Sequence, residues 1–207
     1  MQKDSELTEQ QAGTAHLNEQ DAVVSPGPPP ADDSSMLAKR LRHGEPAAAR
    51  ELVDRYYERV YLFMRAVGHD RQISEDLTQE TFLRAWYHIA QLRDGKALTG
   101  WLFRIAGNVS RLHRRRLKGK EAVSLESVEP PEGQVDGSLE AGQQEQLIRV
   151  RQAVERLPRK LREAVVLHYL EQLTIVEAAD AAGIRVGTLK SRLNRGLEAL
   201  RKEVADE

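Results

Sequence analysis

The chain has 207 residues, enough for one large domain or two small ones. Hydrophobic residues make up 40% and charged residues 30%, a composition typical of a soluble, helix-rich protein with modest cores. There is no cysteine, which excludes disulfide bonds, thiolate catalysis and cysteine-based zinc sites. No stretch approaches the roughly 20 apolar residues of a membrane-spanning helix, and the polar N-terminus is no secretory signal. We therefore expect a cytoplasmic protein without membrane insertion.

The net charge of −1 conceals a strong segregation of charge along the chain. Residues 1–35 carry one basic and seven acidic residues, and residues 119–142 carry one basic and six acidic residues. Residues 36–118 carry 17 basic and nine acidic residues, whereas residues 143–207 are nearly balanced. A basic block can bind a phosphate backbone even when the whole chain is close to neutral.

Two segments lack the apolar periodicity of folded elements. Residues 1–35 end in four closely spaced prolines and predict a disordered, acidic tail. Residues 118–142 contain Pro130-Pro131 and four glycines, which predict a flexible acidic linker. The blocks 36–117 and 143–207 remain as folded domains, and no alternating run indicates a sheet. We therefore predict an all-α fold of two small helical domains joined by the linker.

The first domain is predicted to be helical throughout. Apolar residues from Leu52 to Val67 recur at three- and four-residue steps, so they form one stripe of a helix that stops near Gly68. A second helix is predicted from about Ser74 to Ala90, and a third follows the next loop. The inward-facing residues of the third helix are expected to be Leu98, Leu102, Ile105, Val109 and Leu112.

The second domain is predicted to begin with two helices, 147–156 and 159–170. A short helix then starts at Thr174, where Thr174-Ile175-Val176-Glu177 has the pattern of a capping box, and it ends at Gly183. The last helix is predicted from Thr188 to about Val204, with its leucines on the buried side.

These last two helices carry the strongest local signal for function. A short helix, a glycine-containing turn and a longer helix indicate a helix-turn-helix, whose second helix enters the major groove of DNA. The alternative is a surface helix pair whose basic residues only solvate it. The candidate DNA contacts are Arg185, Thr188, Lys190, Ser191, Arg192 and Arg195.

A row of basic residues on the third helix of the first domain carries a second signal. Arg104, Arg111 and Arg115 recur at helical spacing on one face, and Arg114 lies beside them. Such a row would neutralise a phosphate backbone whatever its sequence. A merely solvated face is the alternative interpretation.

Aromatic residues near this row permit two interpretations. Trp101, Phe103 and Tyr87 could offer stacking surfaces to unpaired bases. Trp101 and Trp86, however, lie on apolar stripes, and this position favours packing in a core.

A cluster of acidic and polar residues lies on one side of the second helix. Asp76 and Glu80 could indicate a hard metal site or acid–base catalysis, but no histidine or further acid stands at ligand spacing and no glycine-rich phosphate loop is present. We therefore assign no catalytic residue, no metal and no cofactor. A protein-docking face and plain solvent exposure remain open.

Taken in order along the chain, these segments resemble the extracytoplasmic-function sigma factors of bacterial RNA polymerase. Residues 76–86, Asp-Leu-Thr-Gln-Glu-Thr-Phe-Leu-Arg-Ala-Trp, resemble the family's region 2 signature. Residues 101–108 resemble the helix after its promoter-melting loop. Leu157-Pro158 with residues 162–167 resembles the opening of region 4, and residues 187–193 resemble its recognition helix.

The resemblance implies a promoter-recognition subunit that is not an enzyme. Residues 36–117 would be sigma region 2, which docks on the clamp helices of the polymerase's largest subunit and melts the −10 element. The docking residues implied are Asp76, Leu77, Gln79, Glu80 and Leu83. The −10 residues implied, in and after the loop 92–100, are Lys96, Arg104, Asn108, Arg111, Arg114 and Arg115.

Residues 143–207 would be sigma region 4, which meets the polymerase flap and reads the −35 element. The −35 contacts implied are the six helix-turn-helix candidates named above. The acidic linker would thread the RNA exit path, and an anti-sigma protein is an expected partner. The main alternative hypothesis is a helix-turn-helix regulator that binds duplex DNA but never joins polymerase. Two further alternatives are a metal-assisted enzyme that uses Asp76 and Glu80, and a pure protein-interaction adaptor.

Overall fold

The structure is a computed structural model, and it describes residues 31–118, 149–150 and 152–205. The predicted tail before residue 31 and the predicted linker after residue 118 lie outside the described residues. The all-α prediction is confirmed, since the described part of the chain contains helices and no strand. The helices are α1 (Ala31–Arg42), α2 (Pro46–Ala66), α3 (Arg71–His88), α4 (Leu98–Lys118), α5 (152–156), α6 (Arg159–Val165, continued by a π-helical turn over Val166–Leu170), α7 (Ile175–Ala182) and α8 (Val186–Ala205).

Helices α1–α4 form the first domain around an aromatic centre. Tyr56, Phe63 and Phe103 are fully buried, and the rings of Phe63 and Phe103 meet edge to face with centroids 5.6 Å apart. The Tyr56 hydroxyl lies 3.0 Å from Oγ1 of Thr99, so α2 and α4 also share a hydrogen bond. Helix α1 begins at Ala31, inside the segment expected to be tail.

Local side-chain chemistry sets the corner between α2 and α3. Gly68 has φ +89°, a left-handed conformation that glycine adopts without strain. Asp70 then caps α3, because its carboxylate accepts a 2.8 Å hydrogen bond from the Ile73 amide. The cap explains why α3 begins at Arg71, three residues before the helix predicted from Ser74.

The helix-turn-helix of the second domain has the local structure predicted. Thr174 and Glu177 form the capping box at the start of α7, and Gly183 ends that helix with φ +65°. Helix α8 begins at Val186, two residues before the predicted start, and Leu189 and Leu193 pack into the core. Gly196 also has a packing reason, because a Cβ there would lie 2.8 Å from Cγ2 of Val165.

The two domains pack against each other along α4 and α7. A Cβ added to Gly107 of α4 would collide with the backbone carbonyl oxygen of Ala181. That same oxygen accepts a 2.6 Å hydrogen bond from Nη1 of Arg111. Because the helices meet at this distance, buried residues of both domains form one continuous hydrophobic cluster.

A buried ion pair also joins the domains. Nη2 and Nε of Arg59 on α2 lie 2.8 Å from Oε2 of Glu171, which follows α6, and the two side chains are only 13% and 7% exposed. Burial raises the pKa of Glu171 to about 7, although the Arg59 charge and hydrogen bond act in the opposite direction. The domain contact therefore contains a carboxyl group that titrates near neutral pH.

We expect Gly107→Ala to destabilise the domain contact. The new methyl group meets backbone rather than a side chain that can turn away, and such overpacking costs about 1–3 kcal/mol of unfolding free energy. Gly187→Ala on α8 is the matched control, because a Cβ there meets nothing within 4 Å. Urea denaturation checks both variants, and equal stability of the two would contradict this packing.

We expect the ionisation of Glu171 to lower stability as pH rises. The folded-state pKa of about 7 lies above the ordinary value of 4.5, so the stabilising contribution is complete below pH 4.5 and is lost as pH passes 7. Glu171→Gln stays neutral and should remove this slope. Unfolding free energies measured from pH 5 to 8 test it, with Glu198→Gln, 67% exposed, as control. Parallel curves for wild type and Glu171→Gln would be the contrary result.

Candidate polymerase and promoter interfaces

Helix α3 presents most of the predicted docking residues to solvent. Asp76, Gln79 and Leu83 are exposed, and Leu83 is 55% accessible. Glu80 is half-exposed, and its Oε1 lies 2.7 Å from Nε of Arg84 one turn later. Leu77 differs, because it is 8% exposed and packs in the core of the first domain. The docking contact predicted for Leu77 is thus not available in this structure, and we correct its role to packing. We call the other four residues the docking face.

An apolar groove adjoins the docking face between α2 and α3. The rings of Tyr57 and Phe82 stack there with centroids 6.3 Å apart, and the indole of Trp86 is 38% exposed. Trp86 was predicted to be a core residue, and that prediction is wrong because its stripe borders the groove. The groove, about 370 Å³, is lined by Ala49, Leu52, Val53, Tyr57, Gln79, Phe82, Leu83 and Trp86.

Two residues of α2 line this groove: Val53, which the sequence placed on the apolar stripe, and Tyr57, which the sequence did not single out. Both are 37% exposed. The apolar stripe of α2 continues onto its solvent side at these two positions, and this widening is the signal that could have found them.

The basic row of α4 lies against the second domain. Nη1 of Arg104 is 3.3 Å from Oδ2 of Asp180, which makes an ion pair with α7. Arg111 donates 2.6 Å hydrogen bonds to the carbonyl of Ala181 and to Oδ1 of Asn108. These side chains are therefore held at the domain contact. We call this arrangement, in which α4 contacts α7, the closed arrangement.

Three further −10 candidates stand apart from the α7 contacts. Arg114 is partly buried and donates a 3.1 Å hydrogen bond to the Val67 carbonyl at the end of α2. Arg115 and Lys96 are exposed. The structure therefore brings five of the six candidates together on α4 and leaves Lys96 alone in the preceding loop.

The loop before α4 is held in place by α1. Nη1 of Arg42 lies 3.3 Å from the carbonyl of Leu92 and 3.4 Å from that of Arg93. Leu92 is buried, and a Cβ on Gly95 would lie 2.6 Å from Cα of Ser35. The loop therefore has a defined conformation from which Lys96 extends into solvent.

The aromatic residues divide between the two interpretations. Trp101 is 7% exposed and Phe103 is fully buried, so neither can stack on a base in this structure. Core packing is confirmed for Trp101, whereas the stacking hypothesis is wrong for these two rings. Tyr87 is 78% exposed and retains that potential.

Helix α8 presents an open polar face. Its buried side is made by Leu189 and Leu193, which leaves the other faces toward solvent. Five of the predicted contacts are exposed and one, Arg192, is half-buried; the exposed ones are Arg185, Thr188, Lys190, Ser191 and Arg195.

Neither metal nor membrane sites are found in the described part of the chain. No group of three His, Cys, Asp or Glu side chains is placed there to hold a metal ion. His69 is buried against Ser110 Oγ at 2.8 Å, and burial together with Arg114 lowers its pKa to about 3. Within the same residues no helix is long and apolar enough to cross a membrane.

A two-domain helical protein with a basic helix and an exposed helix-turn-helix belongs to the class of DNA-binding transcription factors. Comparison with protein families narrows this class. The model for Sigma-70 region 2 matches residues 52–120, and the model for Sigma-70, region 4 matches residues 147–200. The ECF RNA polymerase sigma factor SigW of Bacillus subtilis is 31% identical over 185 residues, covering 81% of this chain and 95% of the relative. SigE of Mycolicibacterium smegmatis is 32% identical over 188 residues, covering 85% and 70%.

Solved structures share the fold. CnrH in complex with the cytosolic domain of CnrY has a TM-score of 0.57 at 23% identity, covering 84% of this chain and 99% of that one. The sigma factor RpoE in complex with the anti-sigma factor NepR from Bartonella quintana has a TM-score of 0.56 at 24% identity, covering 75% and 96%.

The chain belongs to the extracytoplasmic-function family of RNA polymerase sigma factors. It is a transcription initiation factor that binds core RNA polymerase and directs promoter recognition, and it is not an enzyme. The family assignment excludes the stand-alone regulator and the metal-assisted enzyme that the sequence had left open.

Proposed function

We propose that core RNA polymerase binds the docking face together with the apolar groove. The observation that carries this proposal is an exposed apolar surface, with Leu83 at 55% and Trp86 at 38%, bordered by carboxylates. An exposed apolar patch with a polar rim is typical of a protein-binding surface. The clamp helices of the largest subunit are the partner that the family resemblance implies. Because polymerase is its partner, we place the chain in the cytoplasm.

The −35 element is assigned to the exposed face of α8 and the −10 element to α4 with its preceding loop. The first assignment needs no rearrangement, since the α8 residues face solvent. The second requires the domains to separate, because Arg104 is paired with Asp180 of α7 and Arg111 is hydrogen-bonded to the Ala181 carbonyl. Opening of the α4–α7 contact is therefore a step in promoter binding.

The spacing of the two promoter elements supports this opening. Elements centred about 25 base pairs apart are separated by roughly 85 Å along B-form DNA. In the closed arrangement α7 touches α4, and α8 follows α7 directly in the chain. The two DNA-binding helices therefore cannot reach both elements at once until the domains move apart.

We further propose control by an anti-sigma partner. CnrH and the Bartonella RpoE, which share this fold, were solved with the cytosolic domain of CnrY and with the anti-sigma factor NepR. The apolar groove and the docking face are available for such a partner in the closed arrangement. A protein that covers them would exclude polymerase directly.

Charge reversal on the docking face should abolish polymerase binding. Asp76→Lys with Glu80→Lys introduces two cations on the same side of α3. We expect the affinity for core RNA polymerase to fall by more than about 100-fold, because like charges brought together at an interface cost several kcal/mol of binding free energy. Asp54→Lys with Glu58→Lys makes the same change at the same spacing on α2 and is the control. Binding is measured with purified polymerase, and equal behaviour of the two double variants would refute the assignment.

Cations on α8 should set the salt dependence of DNA binding. Replacing both Lys190 and Arg195 by Ala removes two phosphate contacts and is expected to lower the slope of log affinity against log salt by about 2. Lys202→Ala is the control on the same helix, because its ammonium is paired with Glu198 at 3.3 Å. Fluorescence anisotropy with duplex DNA gives the slopes, and an unchanged slope in the double variant would remove α8 as the duplex-binding face.

A further inference from the structure

A basic cavity lies between the two domains. It is open to solvent and measures about 580 Å³ where α4 faces α6 and α7, a volume within the range of small-ligand sites. Four guanidinium groups reach it from α4 and one from α6. They belong to Arg104, Arg111, Arg114, Arg115 and Arg159. We call it the arginine cavity.

Positive charge in the arginine cavity exceeds the negative charge near it. Asp180 is paired with Arg104, and the buried Glu163 attracts Arg111 and Arg114. Burial nevertheless lowers the pKa of Arg114 to about 10, and the nearby Arg159 cation contributes in the same direction. An anion in the cavity would replace part of the hydration that burial removes from Arg111 and Arg114.

Arg159 is the element of the cavity that nothing so far explains. It lies outside both sets of proposed DNA contacts, at the first turn of α6. Its Cδ approaches the end of α2, 3.5 Å from where a Cβ of Gly68 would stand. Among the described residues no hydrogen bond or ion pair is formed by Arg159 or Arg115, so both guanidinium groups have donors to offer a ligand.

We propose that the arginine cavity binds a small, multiply charged phosphate anion of the pyrophosphate type, and that the bound anion holds the two domains together. Guanidinium groups match phosphate oxygens with paired hydrogen bonds, and several of them favour several adjacent phosphoryl charges. Because Arg159 comes from the second domain and the other four guanidinium groups from the first, the anion binds the closed arrangement more tightly than the open one and stabilises it by mass action. The bound anion would also compete with promoter DNA for the arginines of α4, a consequence that rests on the proposed function.

Calorimetric titration of the full chain with pyrophosphate, at constant ionic strength, tests the site. Arg159→Gln is expected to weaken binding at least about tenfold through loss of charged hydrogen bonds. Lys160→Gln removes the same charge from the next, exposed residue of α6 and should change affinity less than about twofold. Equal weakening by both variants, or no binding by the wild type, overturns the proposal.

Energy transfer between the domains tests the second half of the proposal. The chain has no cysteine, so Tyr87→Cys and Lys202→Cys give two unique, exposed labelling positions. Pyrophosphate should move the loss of energy transfer to a higher urea concentration in the labelled double-cysteine protein, and not in the same protein carrying Arg159→Gln. Binding without this shift would refute the bridging role. Neither measurement uses polymerase or promoter DNA, so its failure is distinguishable from failure of the proposed function.

Discussion

The close approach of α4 and α7 determines how the rest of the molecule is arranged. It depends on Gly107, because any side chain at that position would meet the carbonyl of Ala181. With the helices in contact, Arg111 can bind the same carbonyl and Arg104 can reach Asp180. The buried Arg59–Glu171 pair adds a second contact between the domains. One backbone contact thus brings the two cores into a single cluster.

This arrangement separates the functional surfaces into two kinds. The proposed docking face and the proposed duplex-binding face of α8 are exposed while the domains are closed. The proposed −10 face of α4 is instead partly engaged, since Arg104 and Arg111 are bound to residues of α7. Since the domain contact contains partly desolvated charged groups beside its apolar cluster, its stability responds to ligands and pH. Regulation of promoter opening can therefore act at the domain contact itself.

Local features were predictable, and features that depend on neighbouring helices were not. The capping box of Thr174 and Glu177 and the left-handed Gly183 follow from residues a few positions apart. The exposure of Trp86 and the burial of Leu77 do not, because α3 packs against both α2 and α4 and more than one of its faces is apolar. Sequence periodicity shows that an apolar stripe exists, but the position of a second helix decides which of its residues remain at a groove.

The sequence by itself determined the helices, the helix-turn-helix and the order of motifs that identifies the family, because these depend on spacing and on local backbone chemistry. Only the tertiary structure decided that the domains lie closed and that the basic row of α4 faces its own second domain. The contacts responsible join residues far apart in the sequence. Arg111 and Ala181 are 70 positions apart, and Arg59 and Glu171 are 112 positions apart. No periodicity links such distant residues, and two amphipathic units can be packed or apart with the same pattern, so their association depends on shape and charge complementarity in three dimensions.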